Sequence, residues 1–530
     1  MLPRKVDAVV VGSGPNGLVG AIALADAGWD VLVLEAADQH GGAVRSTSED
    51  GWVSDRCSSC YPLGVASPVL RALELERFGL RWVNAPLPLA HLLDPGDESA
   101  PAIHPDPAAT AESVAVDHAA DGDAWLRLYT DYVKIREPLL RALLASWPPV
   151  GAGVQLARRL GSLGELARFG RFLALPAHRM GQELFAGPRG RALLAGNALH
   201  ADAPLSASVS GTMGWLLAML AQDVGFPVAA GGSSRLAAAL VARATEAGAS
   251  LVSSTPVTGI EVSAGRVAAV RTASGETVAV RRAVLADVSA PTLYGELLPS
   301  ASVPARLRRD LERFEWDYPT VKVNYRLGGP IPWRASEART AGVVHLGGDA
   351  DGLVHTGADL DTGRLPSAPF LLIGQTSKAD PSRSPVGTEA VWAYSHLPRG
   401  LTDDAAADKL ADRMDRAIER YAPGFSALVL DREVQKPSEF EAGNAAMGTG
   451  ALGGGTSQLH QQLIFRPTIG LGGPRTVVTG LYLGSAAIHP GPGVHGACGW
   501  LAARAALRDA APLGPLTRIP ATTLLRHLQR

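Results

Sequence analysis

Ala8-Val9-Val10-Val11-Gly12-Ser13-Gly14-Pro15-Asn16-Gly17 decides the fold of this chain. Four apolar, mostly β-branched residues predict a buried parallel strand. A helical pattern follows in Leu18, Ile22, Leu24 and Ala25 and stops at Gly28. Val31-Leu32-Val33-Leu34 reads as a second strand, ending at Glu35 and Ala36. Gly12 permits the tight turn, Gly14 lets a pyrophosphate approach the backbone, and Gly17 lets helix and strand pack closely. The free N–H groups of the helix start, entered through Pro15 and Asn16, bind phosphates. Glu35 lies 21 residues past Gly14, where a carboxylate accepts the ribose hydroxyls of an adenosine. A structural glycine turn with a chance acid is the plainer alternative. The pattern predicts an α/β fold with a Rossmann-like nucleotide-binding domain.

Working outward, 530 residues suffice for several units of roughly 150 residues each. The chain is 46% hydrophobic and 19% charged, an ordinary globular balance. A net charge of −2 argues against a nucleic-acid binder driven by overall charge. Only six of the 49 basic residues are Lys, so a Lys in an apolar setting stands out. Three cysteines, Cys57, Cys60 and Cys498, make no disulfide scaffold and fit a reducing, cytoplasmic setting. No apolar run approaches the roughly 18–20 residues of a membrane span, and the N-terminal run reads as a strand, not a secretory signal.

Gly41-Gly42-Ala43-Val44-Arg45-Ser46 repeats the close-approach logic, with Arg45 placed to meet a phosphate or, alternatively, lying on the surface. This second element, just after the acid, resembles the extended FAD signature of the amine oxidase and phytoene desaturase superfamily. The resemblance implies FAD as cofactor. Gly231 to Asp287, a helix followed by a β-meander, resembles the second piece of the same FAD domain and implies that Val257 offers its backbone to the adenine. Toward the C-terminus, Gly480–Gly484 is a strand into a glycine turn, followed by Ser485 and then His489-Pro490-Gly491-Pro492-Gly493-Val494 before a helix from about Ala497 to Ala506. Such a helix start can stabilise negative charge on a reduced flavin. The stretch resembles the C-terminal His-Pro-Gly-Gly-Gly-hydrophobic motif of phytoene desaturases, with Pro492 at the middle glycine and no acid after Gly484. It implies that Gly484, Ser485, Gly493 and Val494 face the cofactor.

These pieces divide the chain into an FAD-binding domain built from 1–65, 225–295 and 475–530, and an α+β substrate domain built from 66–224, mostly helical, and 296–474. In the latter, strand alternation over Thr320–Tyr325 sets Lys322 and Asn324 against Val321 and Val323. Flavin amine oxidases carry a Lys near flavin N5 at this place in chain order, and the resemblance implies that role for Lys322. A strand lysine pointing to solvent is the alternative. His489 and His495 are candidate acids, bases or loop caps. Cys57-Ser58-Ser59-Cys60 has redox spacing, but no helix start is evident there to lower a thiol pKa, and no second pair suggests a metal.

The whole-chain resemblance is to phytoene-desaturase-like proteins, including the pyridine nucleotide-disulfide oxidoreductase domain-containing group. It implies a dehydrogenase or desaturase whose FAD takes a hydride from a C–H bond of a hydrophobic, isoprenoid- or carotenoid-like substrate, with quinone or oxygen as electron acceptor. Two alternatives stand: a flavin amine oxidase, disfavoured because Ala486–His495 carries no aromatic residue to cage an amine, and a non-catalytic FAD-binding regulator. Basic amphipathic helices near 153–191 suit either contact with an anionic membrane surface or a solvated face over a packed core.

Overall fold

The computed structural model describes residues 2–512 and Gln529; the end of the 475–530 segment otherwise lies outside the described residues. Two sheets organise the chain. The first orders its strands Val257–Ser263, Arg266–Thr272, Thr277–Ala286, Lys5–Val11, Val31–Leu34 and Ser250–Val252. Leu481–Leu483 adds to the far half of Thr277–Ala286 in parallel. The meander strands pair antiparallel and the rest pair parallel. On one face, helices Pro15–Asp26, Ser234–Glu246 and Ala497–Ala510 share a core with Val10, Val33 and Leu285. Gly499 makes the contact between the first and last of these helices close: a Cβ there would lie 1.7 Å from the Asn16 carbonyl oxygen.

Register places the functional rim. Val11 is opposite both Leu34 and Ala286, and Ala286 is opposite Leu483. The four parallel strands therefore end together, and their next residues, Gly12, Glu35, Asp287 and Gly484, share one edge. This is the carboxyl edge at which ligands bind open α/β sheets.

The second sheet orders Val429–Gln435, Thr320–Leu327, Glu389–His396, Leu371–Gln375, Ala341–Leu346, Leu87–Leu92 and Ala102–Ile103. One face packs on helix Asp404–Tyr421 through Leu410, Met414 and Ile418. The other packs on a helical lobe through Trp125, Leu193 and Trp215. Strands Leu87–Leu92 and Ala102–Ile103 interrupt the mostly helical stretch. Leu87–Leu92 is buried throughout, so it lacks the alternation that would reveal a half-exposed strand.

Two local readings differ from the structure. Thr277–Val280 and Arg282–Asp287 read as separate strands but form one, Thr277–Ala286. The exposed pair Arg281 and Arg282 breaks the apolar run and sits where the register against Lys5–Val11 shifts, from Val6 opposite Val280 to Ala8 opposite Ala283; Asp7 and Asp30 receive the two guanidinium groups. The amphipathic stretch Gly153–Leu175 is two helices, Val150–Leu160 and Leu163–Ala174, separated at Gly161 with φ +87°.

Candidate functional site: a flavin cradle and a buried lysine

At the rim, the sequence-selected residues converge. Gly12 has φ +92°, a region that L side chains rarely adopt. The Gly41 N–H donates to the Ser13 carbonyl at 3.0 Å. A Cβ on Gly42 would lie 3.0 Å from Gly14 Cα, so the two glycine turns form one cradle. Pro15 opens the helix, and beside it Asn16 Oδ1 is buried without a hydrogen-bond partner. Glu35 Oε2 accepts from the Ser13 N–H at 2.8 Å and the Ser13 hydroxyl at 2.7 Å, and Oε1 accepts from the Ala37 N–H at 2.9 Å. A carboxylate has about four acceptor positions, so room remains for a ribose hydroxyl. Ala36 beside it is exposed. The Thr255 N–H donates to the Glu35 carbonyl at 2.7 Å, which brings the start of strand Val257–Ser263 to the same corner. Arg45 donates to the Gly443 carbonyl at 3.1 Å and has no carboxylate partner among the described residues.

The C-terminal loop closes the cradle. The Gly484 N–H donates to the Ala286 carbonyl at 2.8 Å, and Ser485 Oγ donates to the Val288 carbonyl at 2.6 Å. Gly493 (φ +134°) and Val494 (φ +51°) both hold left-handed backbone, the latter unusual for a β-branched residue. The His495 ring accepts the Ala497 N–H at 3.0 Å through Nδ1, so its proton sits on Nε2, aimed at the Gly491 carbonyl. His495 thus caps the last helix. Burial pushes the His489 ring down to about 4, against the pull of the Ala145 and Leu143 carbonyls. His489 is neutral near pH 7, and its Nε2 is buried without a partner.

Lys322 lies on the second sheet and does not point to solvent: it is 2% exposed. The hairpin Ser46–Glu49/Trp52–Asp55 covers this face, and Lys322 Nζ donates to the Asp55 carbonyl. Burial pushes its ammonium down to about 8, against the attraction of the Asp55 charge. Its Nζ sits 5.9 Å from the centre of the Trp392 ring. Among the described residues, no hydrogen bond or ring contact joins Lys322 to His489.

Several polar residues of the site were not singled out from sequence. Asp55 Oδ1 accepts from Ser46 Oγ (2.8 Å), the Ser233 N–H (2.8 Å) and Arg383 (3.1 Å). Arg383, fully buried, also holds Asp380 and the Ala229 carbonyl. Arg466, equally buried, ties the Ala486 carbonyl to the glycine-rich loop at Gly453, Gly455 and Thr456. Asp287 sits at the phosphate loop itself, where its Oδ2 accepts the Gly17 N–H at 2.9 Å.

The family model of flavin-containing amine oxidoreductases matches residues 16–507. The chain belongs to this family. It is an FAD-dependent oxidoreductase of the amine oxidase and phytoene dehydrogenase superfamily. It is 28% identical to pyridine nucleotide-disulfide oxidoreductase domain-containing protein 2 of Rattus norvegicus, over 96% of this chain and 94% of that protein. It is 26% identical to phytoene dehydrogenase of Streptomyces griseus, over 83% of this chain and 84% of that protein. Its fold matches a solved putrescine oxidase variant with a TM-score of 0.61 at 17% identity, over 96% and 99% of the two chains. The cradle fits the family's FAD: two glycine turns in contact, an orphaned Asn16 oxygen, a ribose-side acid and a glycine-rich loop before a helix.

Cys57 and Cys60 are not joined by a disulfide. Both are free, and burial pushes both thiols up, Cys60 to about 12. A thiolate is the reactive form, so this setting disfavours exchange chemistry. Helices Val150–Leu160 and Leu163–Ala174 contain no fully buried residue. Leu163 is 86% and Val150 70% exposed, beside half-exposed Trp147 and Val154. Arg141, Arg158 and Arg159 line a groove there and form no ion pair among the described residues. No helix among the described residues is long and apolar enough to cross a membrane.

Proposed function

We propose that this chain dehydrogenates a C–H bond of a largely apolar, isoprenoid-like substrate, with quinone or oxygen reoxidising the cofactor. One observation carries the reading. Ala486–His495, the loop that closes the cradle, carries no Phe, Tyr or Trp to cage an amine. A cationic amine would lose its hydration there without an aromatic face to offset the loss. An apolar chain gains about 25 cal/mol per Å² buried.

Bound FAD supplies the hydride acceptor. Forming a carbon–carbon double bond removes a second hydrogen as a proton. His489, neutral and with a free Nε2, is the residue we assign to receive it. Lys322 would offer a positive charge to a bound flavin as it is reduced. Gly12, Gly14, Gly42 and Arg45 would hold the pyrophosphate of FAD, Glu35 and the Val257 backbone its adenosine, and Gly484 to Val494 its ring. The exposed apolar and arginine-lined helices would rest on an anionic membrane surface, from which such a substrate is drawn.

Mass spectrometry of small molecules extracted from the purified yellow protein tests the substrate class. A neutral isoprenoid or acyl compound supports the reading. A primary amine or amino acid overturns it.

A further inference from the structure

Asp287 follows strand Thr277–Ala286, and its N–H donates to the Val11 carbonyl at 2.8 Å. It therefore leans directly onto the phosphate loop. A Cβ on Gly12 would meet the Asp287 carbonyl oxygen at 2.8 Å. A Cβ on Gly14 would meet Asp287 Oδ2 at 2.6 Å, and one on Gly17 would meet it at 3.0 Å. Gly12 and Gly14 make room chiefly for this one residue, and Gly17 for it and for the Gly12 carbonyl, which its Cβ would meet at 2.3 Å. The Gly17 N–H, one of the free donors at the helix start, is already spent on Asp287 Oδ2 at 2.9 Å.

Among the described residues, no cation pairs with this carboxyl. The ionisable groups facing it are Glu35, from the end of strand Val31–Leu34, and Cys498, from helix Ala497–Ala510. Neither can neutralise it. The pyrophosphate of FAD brings further negative charge to the same helix start. Two anions sharing one site favour protonation of the weaker acid. Loss of water around Asp287, with Glu35 adding like charge, already lifts its carboxyl to about 7, against the N–H bonds from Gly17 and Gly14.

We propose that Asp287 is a positioning residue of the phosphate loop that takes up a proton when FAD binds, so the protonated form of the protein holds the cofactor more tightly. The sign follows from linkage: a ligand that favours the protonated state binds more weakly as pH rises through the free carboxyl's range. Affinity falls tenfold per pH unit between the FAD-free and FAD-bound ionisations, and is level outside them.

The test is FAD release from the full-length holoprotein on dilution, followed by the rise in flavin fluorescence from pH 6 to 9. The wild type is expected to lose about tenfold or more in affinity between pH 6.5 and 8.5, with a slope near one proton. Asp287→Asn, which mimics the neutral acid, is expected to bind FAD as tightly as the wild type at pH 6 and to show no such slope. A flat wild-type profile overturns the proposal. So does an Asp287→Asn protein that keeps the slope, or one that is folded by circular dichroism yet loses FAD at every pH. If the variant does not fold, proton release is measured with an indicator dye as FAD is stripped from the wild type at pH 7.5. A substantial fraction of one proton per FAD supports the proposal, and none overturns it.

Discussion

Asp55 and Asp287 are two carboxylates at two seams of the same site, and they are treated in opposite ways. Asp55, 2% exposed, sits where the hairpin meets the second sheet. It is given Arg383, the Ser46 hydroxyl and the Ser233 N–H, with Lys322 on its carbonyl. Asp287 sits where the first strand meets its helix and is given backbone N–H groups but no cation. A charge held by a cation ties two parts of the chain together. A carboxyl held only by N–H groups can change its protonation state when an anion arrives. The hairpin seam is thus built to hold Lys322 still, and the phosphate seam to respond to FAD.

The largest expected effect comes from breaking the first seam. Arg383→Leu leaves Asp55 and Asp380 buried without their cation, and should cost about 3–5 kcal/mol of folding stability in chemical denaturation. Asp287→Asn should cost far less in the same assay, because it removes no partner charge. Equal losses would erase the contrast.

Next is Lys322→Met, which keeps the volume and removes the charge. Anaerobic stopped-flow reduction of the bound flavin should slow by about 10²-fold or more, with FAD content unchanged. In the wild type the rate should fall as pH rises through about 8, where Lys322 loses its proton, and the variant should show no such fall.

Gly14→Ala drives a methyl onto Asp287 Oδ2 and should cost about 1–3 kcal/mol with loss of FAD. Adding Asp287→Ala should recover part of that, a coupling of about 0.5–3 kcal/mol. Strict additivity would mean that the glycine is there for the cofactor alone. The smallest effect belongs to a surface outside both seams. Leu163→Asp should shift stability by no more than about 0.5 kcal/mol, yet weaken cosedimentation with anionic vesicles.

The phosphate seam was largely legible because its parts are neighbours in sequence: Gly12, Gly14, Gly17 and Glu35 fall within one strand-helix-strand unit. Asp287 was not, since its meaning comes from a register 270 residues away from Gly17. Lys322 could be placed on a strand, but not its burial. The hairpin that covers it, Ser46–Asp55, is mostly polar and exposed along Thr47–Gly51, so nothing in its composition marks it as a lid on a core. Arg383 and Arg466 do not stand out in the sequence, because arginine is abundant in the chain. Only the converging carbonyls and carboxylates reveal them as buried ties.

The central claim is the proposal that this chain brings a carbon–hydrogen bond of an apolar substrate, not an amine, to its FAD. Anaerobic mixing of the holoprotein with isoprenoids in lipid vesicles, and separately with primary and secondary amines, tests it through the visible flavin band. Bleaching by an isoprenoid and none by the amines is the predicted result; bleaching by an amine, with isoprenoids inert, would contradict it.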